Sequence, residues 1–274
     1  MSGPQQGTRV GRWIGALWDS GTAASGGAWR EHALPSGAMH LVIRLDDVPL
    51  RIRAGDAAGG GTALRGAMVA GVRDRWMLRE GAAPTRSLGA MIDPAACRAL
   101  FGVDADVLAG QHVPLEDLLG ARARALADAV ADAPDAAARR GLLGRFLRDA
   151  LRAPPAPAMP LRDALHGAGS IGAAVRASGY SHRGYIARFR RETGLAPQDW
   201  RRLRRLNDAL VRLRDARHGD LAQLAHDGGW SDQSHFGRDF RRFAGTTPDD
   251  YRRRAPHSPH HLPMPAAPPG SIPF

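Results

Sequence analysis

The sequence predicts two unlike halves: an α+β N-terminal domain, with a β-rich part followed by helices, and an all-α C-terminal domain of two helix–turn–helix motifs joined by a long helix. Three observations predict this. Short runs with β-branched residues give way to helical periodicity near Asp93, a proline-dense stretch "RAPPAPAMP" interrupts at 152–160, and one pattern then occurs twice, 51 residues apart. A chain of 274 residues is long enough for two domains.

The first half is taken in chain order. "MHLVIRL" (39–45) and "VPLRIRA" (48–54) flank the turn-like Asp46-Asp47 and predict a β-hairpin. "AMVAGVRDRWMLRE" (67–80) adds one or two strands. Gly59, Gly60 and Gly61 form a loop, and without a following Lys-Ser/Thr they are no phosphate cradle. "DPAACRALFG" reads as a short helix with Pro94 in its first turn and Gly102 past its end. "PLEDLLGARARALADAVADA" (114–133) and "DAAARRGLLGRFLRDAL" (135–151) carry apolar residues at three- and four-residue spacing and predict two amphipathic helices. The expected boundaries are a first domain at 1–152, a Pro-rich linker at 153–159, a second domain at 160–254 and a disordered Pro-rich tail at 255–274.

The repeat organises the second half. With Ser181 aligned on Asp232, Tyr185 meets Phe236, Phe189 meets Phe240, and Arg190 and Arg191 meet Arg241 and Arg242. Gly194 meets Gly245, Pro197 meets Pro248, and Trp200 meets Tyr251. Each copy opens with a short helix, capped by Ser170 or Asp220, and stops at glycine: Gly179, or the Gly228–Gly229 pair. A second helix then opens on Ser181 or Asp232, which completes a helix–turn–helix.

At about 100° per residue the aromatic positions share one face of each second helix. The opposite face holds Arg183, Ala187 and Arg190 in the first copy. In the second it holds Ser234, Arg238 and Arg241, with Gln233 and His235 near the helix start. Rings inside and hydrogen-bonding groups outside suit a helix that reads the major groove of DNA. Charge agrees: the chain carries +11, and residues 160–254 hold 19 Arg against 11 Asp/Glu. A polyanionic partner for that part follows.

Residues 160–254 resemble the DNA-binding domain of AraC/XylS-type bacterial transcription regulators. The match is carried by G-W-S-D-Q-S-H-F-x-R-x-F-R-R-x-x-G-x-T-P-x-x-Y-R from Gly229 to Arg252, and by G-Y-S-x-x-x-Y-x-x-x-F-R-R-E-T-G-L-A-P upstream. The resemblance implies two reading helices, joined through the long helix at 197–216, entering successive major grooves. By position, Arg183, Ile186 and Ala187 face bases from the first copy, and Gln233, Ser234, His235 and Arg238 from the second. Arg190, Arg241 and Arg242 complete the basic side. Ile186 and Ala187 depart from the polar residues frequent there and suit thymine methyls instead. Residues 1–152 are similar to the N-terminal region of one AraC-like subgroup, taken as a sensing or oligomerisation domain. The implied function is a sequence-specific transcription regulator and not an enzyme, with double-stranded DNA as partner. Candidate further partners are RNA polymerase, a small-molecule effector and a second copy. The alternative reading is a DNA-modifying or repair enzyme that borrows this module.

Other features carry less. The chain has one cysteine, no apolar run of about 20 residues and no signal-peptide core, so a cytoplasmic protein without membrane contact is expected. Cys97 has apolar neighbours and reads as structural. His32 and His40 lack the spacing of a metal site, no cofactor is expected, and His257, His260 and His261 read as part of an unstructured tail. Trp13, Trp18, Trp29 and Trp76 serve a small-molecule pocket or a β-core equally well.

Overall fold

A computed structural model describes residues 13–21, 28–55, 61–82, 85–151, 159–215, 220–254, 256 and 258–265. Residues 153–158 of the predicted linker, Gly59, Gly60, His257 and the tail from 266 lie outside them.

The N-terminal half contains two antiparallel five-stranded sheets. In chain order the strands are β1 (Ile14–Gly21), β2 (Ala28–Ala33), β3 (Met39–Arg44), β4 (Leu50–Ala54), β5 (Thr62–Leu64), β6 (Ala67–Ala70), β7 (Met77–Ala82), β8 (Arg86–Ile92) and β9 (His112–Pro114), with β10 (His261–Met264) from the far end of the chain. The first sheet runs β1-β8-β3-β6-β9 and the second β10-β2-β7-β4-β5. In β3, Met39, Leu41 and Ile43 are buried while His40 and Val42 on the other face are partly accessible. That alternation marks a strand whose two faces meet different surroundings.

After β8, a 3-10 turn at Pro94–Ala96 is capped by Asp93, whose carboxylate accepts from the Ala95 amide at 2.9 Å. Helices α1 (Cys97–Phe101), α2 (Leu115–Leu119), α3 (Ala121–Ala131) and α4 (Ala136–Ala150) follow. Leu126 and Val130 of α3 and Leu143 and Leu147 of α4 join Leu41, Leu88 and Ile92 in one apolar core. Arg139 of α4 also meets Asp19 of β1 at 2.7 Å. The C-terminal half is α5 (Met159–Gly167), α6 (Ile171–Ser178), α7 (His182–Thr193), α8 (Pro197–Asp215), α9 (Leu221–Asp227), α10 (Gln233–Ala244) and α11 (Pro248–Arg254).

Three expectations change. The strands at 39–44 and 50–54 exist but form no hairpin: β3 pairs with β6 and β8, and β4 with β5 and β7. The Asp46-Asp47 stretch turns a corner between sheets, held by Arg44, whose Nη2 donates to Asp46 Oδ1 at 2.7 Å and to the Val48 carbonyl at 2.9 Å. The helix expected over 114–133 is broken at Gly120, whose φ of 53° and ψ of −129° lie outside helical space. Finally, residues 258–264 of the tail expected to be disordered are ordered. His261–Met264 pairs antiparallel with Arg30–Ala33, and Leu262 is fully buried. The tail's composition gave it little to bury by itself, but a preformed sheet edge supplies both the hydrogen-bond ladder and the apolar surface.

The two halves share one core. The cluster that contains Leu41 and Ile92 continues through Ala105 and Leu108 to Leu203, Leu206 and Leu210 of α8, and on to Phe236, Phe240, Phe243 and Tyr251. The first helix–turn–helix keeps a smaller core of its own: Leu161, Leu165, Ala174, Tyr185 and Phe189.

Candidate nucleic-acid interface

The two helices of each repeat copy are assembled by the same local chemistry. In the first copy, Ser170 caps α6 by accepting from Ala173 at 3.1 Å, and Gly179 ends it in the left-handed conformation at φ 72°. Ser181 then caps α7 by accepting from Gly184 at 3.1 Å. In the second, Asp220 caps α9 through Ala222 at 2.8 Å, Gly229 takes φ 76°, and Asp232 caps α10 through His235 at 2.7 Å. A cap satisfies an amide that the helix start leaves unpaired, and each contributes about 1 kcal/mol. The amide of His235, and then the hydroxyl of Ser231, hold the Asp232 carboxyl below its ordinary pKa, so the cap stays charged and accepting near neutral pH.

The aromatic sides are closed. Tyr185 and Phe189 are fully buried with ring centroids 5.9 Å apart, and the Tyr185 hydroxyl donates to the Leu161 carbonyl at 3.0 Å. In the second copy a chain of rings runs from Trp230 to Phe236 at 4.7 Å, to Phe240 at 5.6 Å and to Tyr251 at 5.7 Å. Tilted and edge-on pairs at these separations are favourable beyond their area burial. These rings fix which side of each helix faces outward.

On the outward sides, Arg183, Ala187 and Arg190 of α7 and Gln233, Ser234, Arg238 and Arg241 of α10 are exposed. Arg183, Arg190, Arg238 and Arg241 make no ion pair with any described carboxylate, unlike most arginines around them. Arg188, for instance, bonds Glu192 at 2.8 Å and lies 5.4 Å over the Tyr180 ring. Ile186 is half-buried. His235 is half-buried as well, and its ring bridges residues of the same turn: Nδ1 lies 3.1 Å from the Ser231 hydroxyl and Nε2 3.7 Å from Asp239. Arg242 is exposed but leans on Asp74 at 3.4 Å and on Asp199 at 3.9 Å.

Two positioning residues escaped the sequence reading. Arg201 and Arg205 lie one turn apart on α8 and reach toward different copies. Arg201 donates to the Gly169 carbonyl at 2.7 Å, beside the start of α6. Arg205 donates to the Gly229 carbonyl at 2.8 Å, lies 4.9 Å over Trp230 and pairs with Asp239 at 3.5 Å. In sequence both are indistinguishable from their neighbours in "RRLRRL", and only the fold separates them.

A family model described as "Helix-turn-helix domain" matches residues 162–254. Residues 162–254 are an AraC/XylS-type helix-turn-helix domain. The chain that carries this domain is a DNA-binding transcription regulator. Among solved structures, ToxT from Vibrio cholerae is similar at 8% identity and a TM-score of 0.44, over 88% of this chain and 98% of that one. An apo form of a ToxT point variant from Vibrio cholerae strain SCE256 is similar at 7% identity and a TM-score of 0.45, over 91% and 99%. No curated protein matches the chain.

Outside the helix-turn-helix domain, the remaining candidates separate. His32 Nδ1 lies 3.0 Å from the Ala244 carbonyl, whereas His40 meets the Ser36 hydroxyl at 3.3 Å and the edge of Trp18 at 5.8 Å. Among the described residues no group of three or more His, Cys, Asp or Glu is placed to hold a metal ion, and no helix is long and apolar enough to cross a membrane. Cys97 is buried, and desolvation pushes its thiol up to about 12. A thiol held protonated is a poor nucleophile, which fits a packing role for Cys97. The tryptophans do not form one cluster. Trp18 packs at Gly89, Trp29 at Gly81, and Trp76 at Gly245 of the helix-turn-helix domain.

Proposed function

We propose that α7 and α10 enter successive major grooves of one operator. Arg183, Ile186 and Ala187 contact bases from α7, and Gln233, Ser234 and Arg238 from α10. Arg190, Arg241 and Arg242 hold phosphates, and His235 sets the head of α10 more than it reads a base. The observation that carries this reading is the pair of capped helices whose rings are buried and whose opposite sides leave four arginines without an ion pair to any described carboxylate. An arginine free of carboxylates presents its full fork to guanine or phosphate. Affinity rests largely on phosphate contacts and falls steeply with salt.

Residues 1–152 act as the regulatory half in this reading, by a small-molecule effector or by pairing with a second copy, from the cytoplasm and toward RNA polymerase. Arg73 supports an effector of anionic character: its Nε has no hydrogen-bond partner among the described residues, and burial and then Arg79 lower its pKa to about 10. His40 and His112 are electrostatic neighbours of Arg73 and are held neutral.

The test is selection of bound fragments from random duplex DNA, followed by competition with unrelated duplex. A consensus of two half-sites about one helical turn apart, bound at least about a thousand-fold better than competitor, is expected. Enrichment without a consensus would mean a non-specific binder.

A further inference from the structure

The repeat relates Gly194 to Gly245 and Arg191 to Arg242, and both pairs sit at the C-terminal ends of the reading helices. Each glycine ends its helix in the left-handed conformation, at φ 77° and 69°. Both ends rest on the same short piece of the N-terminal half. A Cβ placed on Gly194 would lie 3.3 Å from Val72 Cβ and 3.2 Å from the Ala105 carbonyl oxygen. A Cβ placed on Gly245 would lie 2.3 Å from Cε2 of Trp76. Hydrogen bonds and charge repeat the correspondence. The Ala105 amide donates to the Arg191 carbonyl at 2.8 Å, Asp74 pairs with the Arg242 guanidinium at 3.4 Å, and His32, stacked on Trp76, meets the Ala244 carbonyl at 3.0 Å.

This seat is firmly held. The Val72 carbonyl accepts from Gly110 at 2.8 Å, the Trp76 carbonyl accepts from Gly55 at 3.1 Å, and Gly71 donates to Gln111 at 2.9 Å. Between them Arg73 turns inward, and its Nη2 donates to the Leu34 carbonyl at 3.4 Å. Four residues of chain span at most about 14 Å, so two helix ends that touch Val72 and Trp76 have little freedom in their separation.

We propose that Val72 and Trp76 are positioning residues for DNA recognition: they set the distance and inclination between α7 and α10, and so the half-site spacing that the protein accepts. The inference rests on the reading of α7 and α10 as the groove-entering helices. It makes the β6–β7 segment part of the specificity apparatus, although it touches no DNA. Two inserted modules on a fixed seat tolerate one spacing, since one added base pair displaces the second groove by about 3.4 Å and turns it by about 35°.

The experiment uses the full chain, its selected operator, and operators with one or two base pairs added or removed between half-sites. Unaltered protein is expected to lose about ten-fold or more in affinity per changed base pair. Trp76→Leu and Val72→Ala are expected to lose about three-fold or less, with unchanged discrimination within each half-site. In the absence of DNA, nitroxide labels on Ala177→Cys and Ala222→Cys report the distance between the two modules, while Cys97 stays unlabelled in the core. That distribution is expected to be narrow, and to broaden in both variants. A spacing penalty and a distance distribution equal to those of the unaltered protein would overturn the proposal. If Trp76→Leu does not fold, Val72→Ala decides on the same readouts. Failure to obtain any consensus operator would instead strike the reading of the helices on which the inference rests.

Discussion

His32 stacks on Trp76 with 3.9 Å between ring centroids and 25° between planes, and its Nδ1 lies 3.0 Å from the carbonyl of Ala244 in the last turn of α10. A helix leaves its final carbonyls unpaired, so a ring nitrogen at that point satisfies a group that would otherwise be buried at a cost. The Trp76 ring also covers Gly245, where any side chain would collide with it. The N-terminal half and α10 are therefore joined by a polar contact inside an apolar seam. Its consequences are measurable.

The proposed binding mode gives the outward arginines different roles. Arg238→Ala is expected to cost about 1–3 kcal/mol on the best operator and to relax preference at one base pair. Arg241→Ala is expected to weaken binding evenly across sequences and to reduce the slope of affinity against salt by about one contact. Titrations of an operator library at two salt concentrations separate the two outcomes. Equal behaviour of the two variants would remove the distinction between base and phosphate contacts on α10.

The caps carry stability more than specificity. Asp232→Ala and Ser181→Ala are each expected to lower stability by about 1 kcal/mol, with Asp232→Asn close to the unaltered protein. Urea unfolding measures this. The Asn variant separates hydrogen bonding from charge, because both side chains accept from the His235 amide.

Acid is expected to loosen the fold before it unfolds the helices. Burial, followed by neighbouring positive charge, lowers His112 and His260 from 6.5 to about 4, and His260 Nε2 lies 2.9 Å from Asn207 of α8. A lowered imidazole pKa means that the unfolded chain takes up protons between about 6.5 and 4 that the folded chain refuses. Stability is thus complete above about pH 6.5 and falls toward pH 4, by up to about 1.4 kcal/mol per pH unit per residue. Glu31 works in the same direction lower down. Burial alone would raise its carboxyl, but Arg79 and His261 together outweigh it and bring its pKa to about 2, so that contribution is present above about 4.5 and lost as pH falls toward 2. Thermal melts from pH 7.5 to 4 check the slope, and His260→Gln should make it shallower.

What was legible in the sequence was whatever short-range chemistry decides. Ser170, Ser181, Asp220 and Asp232 cap helices where their side chains and spacing place them, and the buried rings follow from the three- and four-residue period. The strands at 39–44 and 50–54 were legible as strands, but their partners were not. Pairing depends on which sheet receives each strand, and Arg44 settles that by bonding across the corner at Asp46. The dual reach of Arg201 and Arg205 was hidden for a related reason: one helix face meets two different modules, and nothing within "RRLRRL" records it.

The C-terminal strand shows the same limit and supports the last prediction. Nothing in "HSPHHLPMP" demands order, yet Leu262 is fully buried, the Leu34 amide donates to the His260 carbonyl at 2.8 Å, and the Tyr251 hydroxyl donates to the Pro259 carbonyl at 3.0 Å. Arg254 of α11 donates to the Pro263 carbonyl at 3.1 Å, so the strand ties the end of the helix-turn-helix domain to the edge of β2. Removing residues 256–274 strips the apolar cover from that edge and leaves its amides and carbonyls open to another chain. The truncated protein is expected to lose about 2–4 kcal/mol of stability, from one buried leucine and the ladder it supports, and to self-associate at concentrations where the full chain does not. Leu262→Asp in the full-length chain should reproduce most of the stability loss, because a carboxylate cannot enter the seam without neutralising. Unfolding curves alongside sedimentation measure both effects, and an unchanged melt for both variants would show that the strand is dispensable.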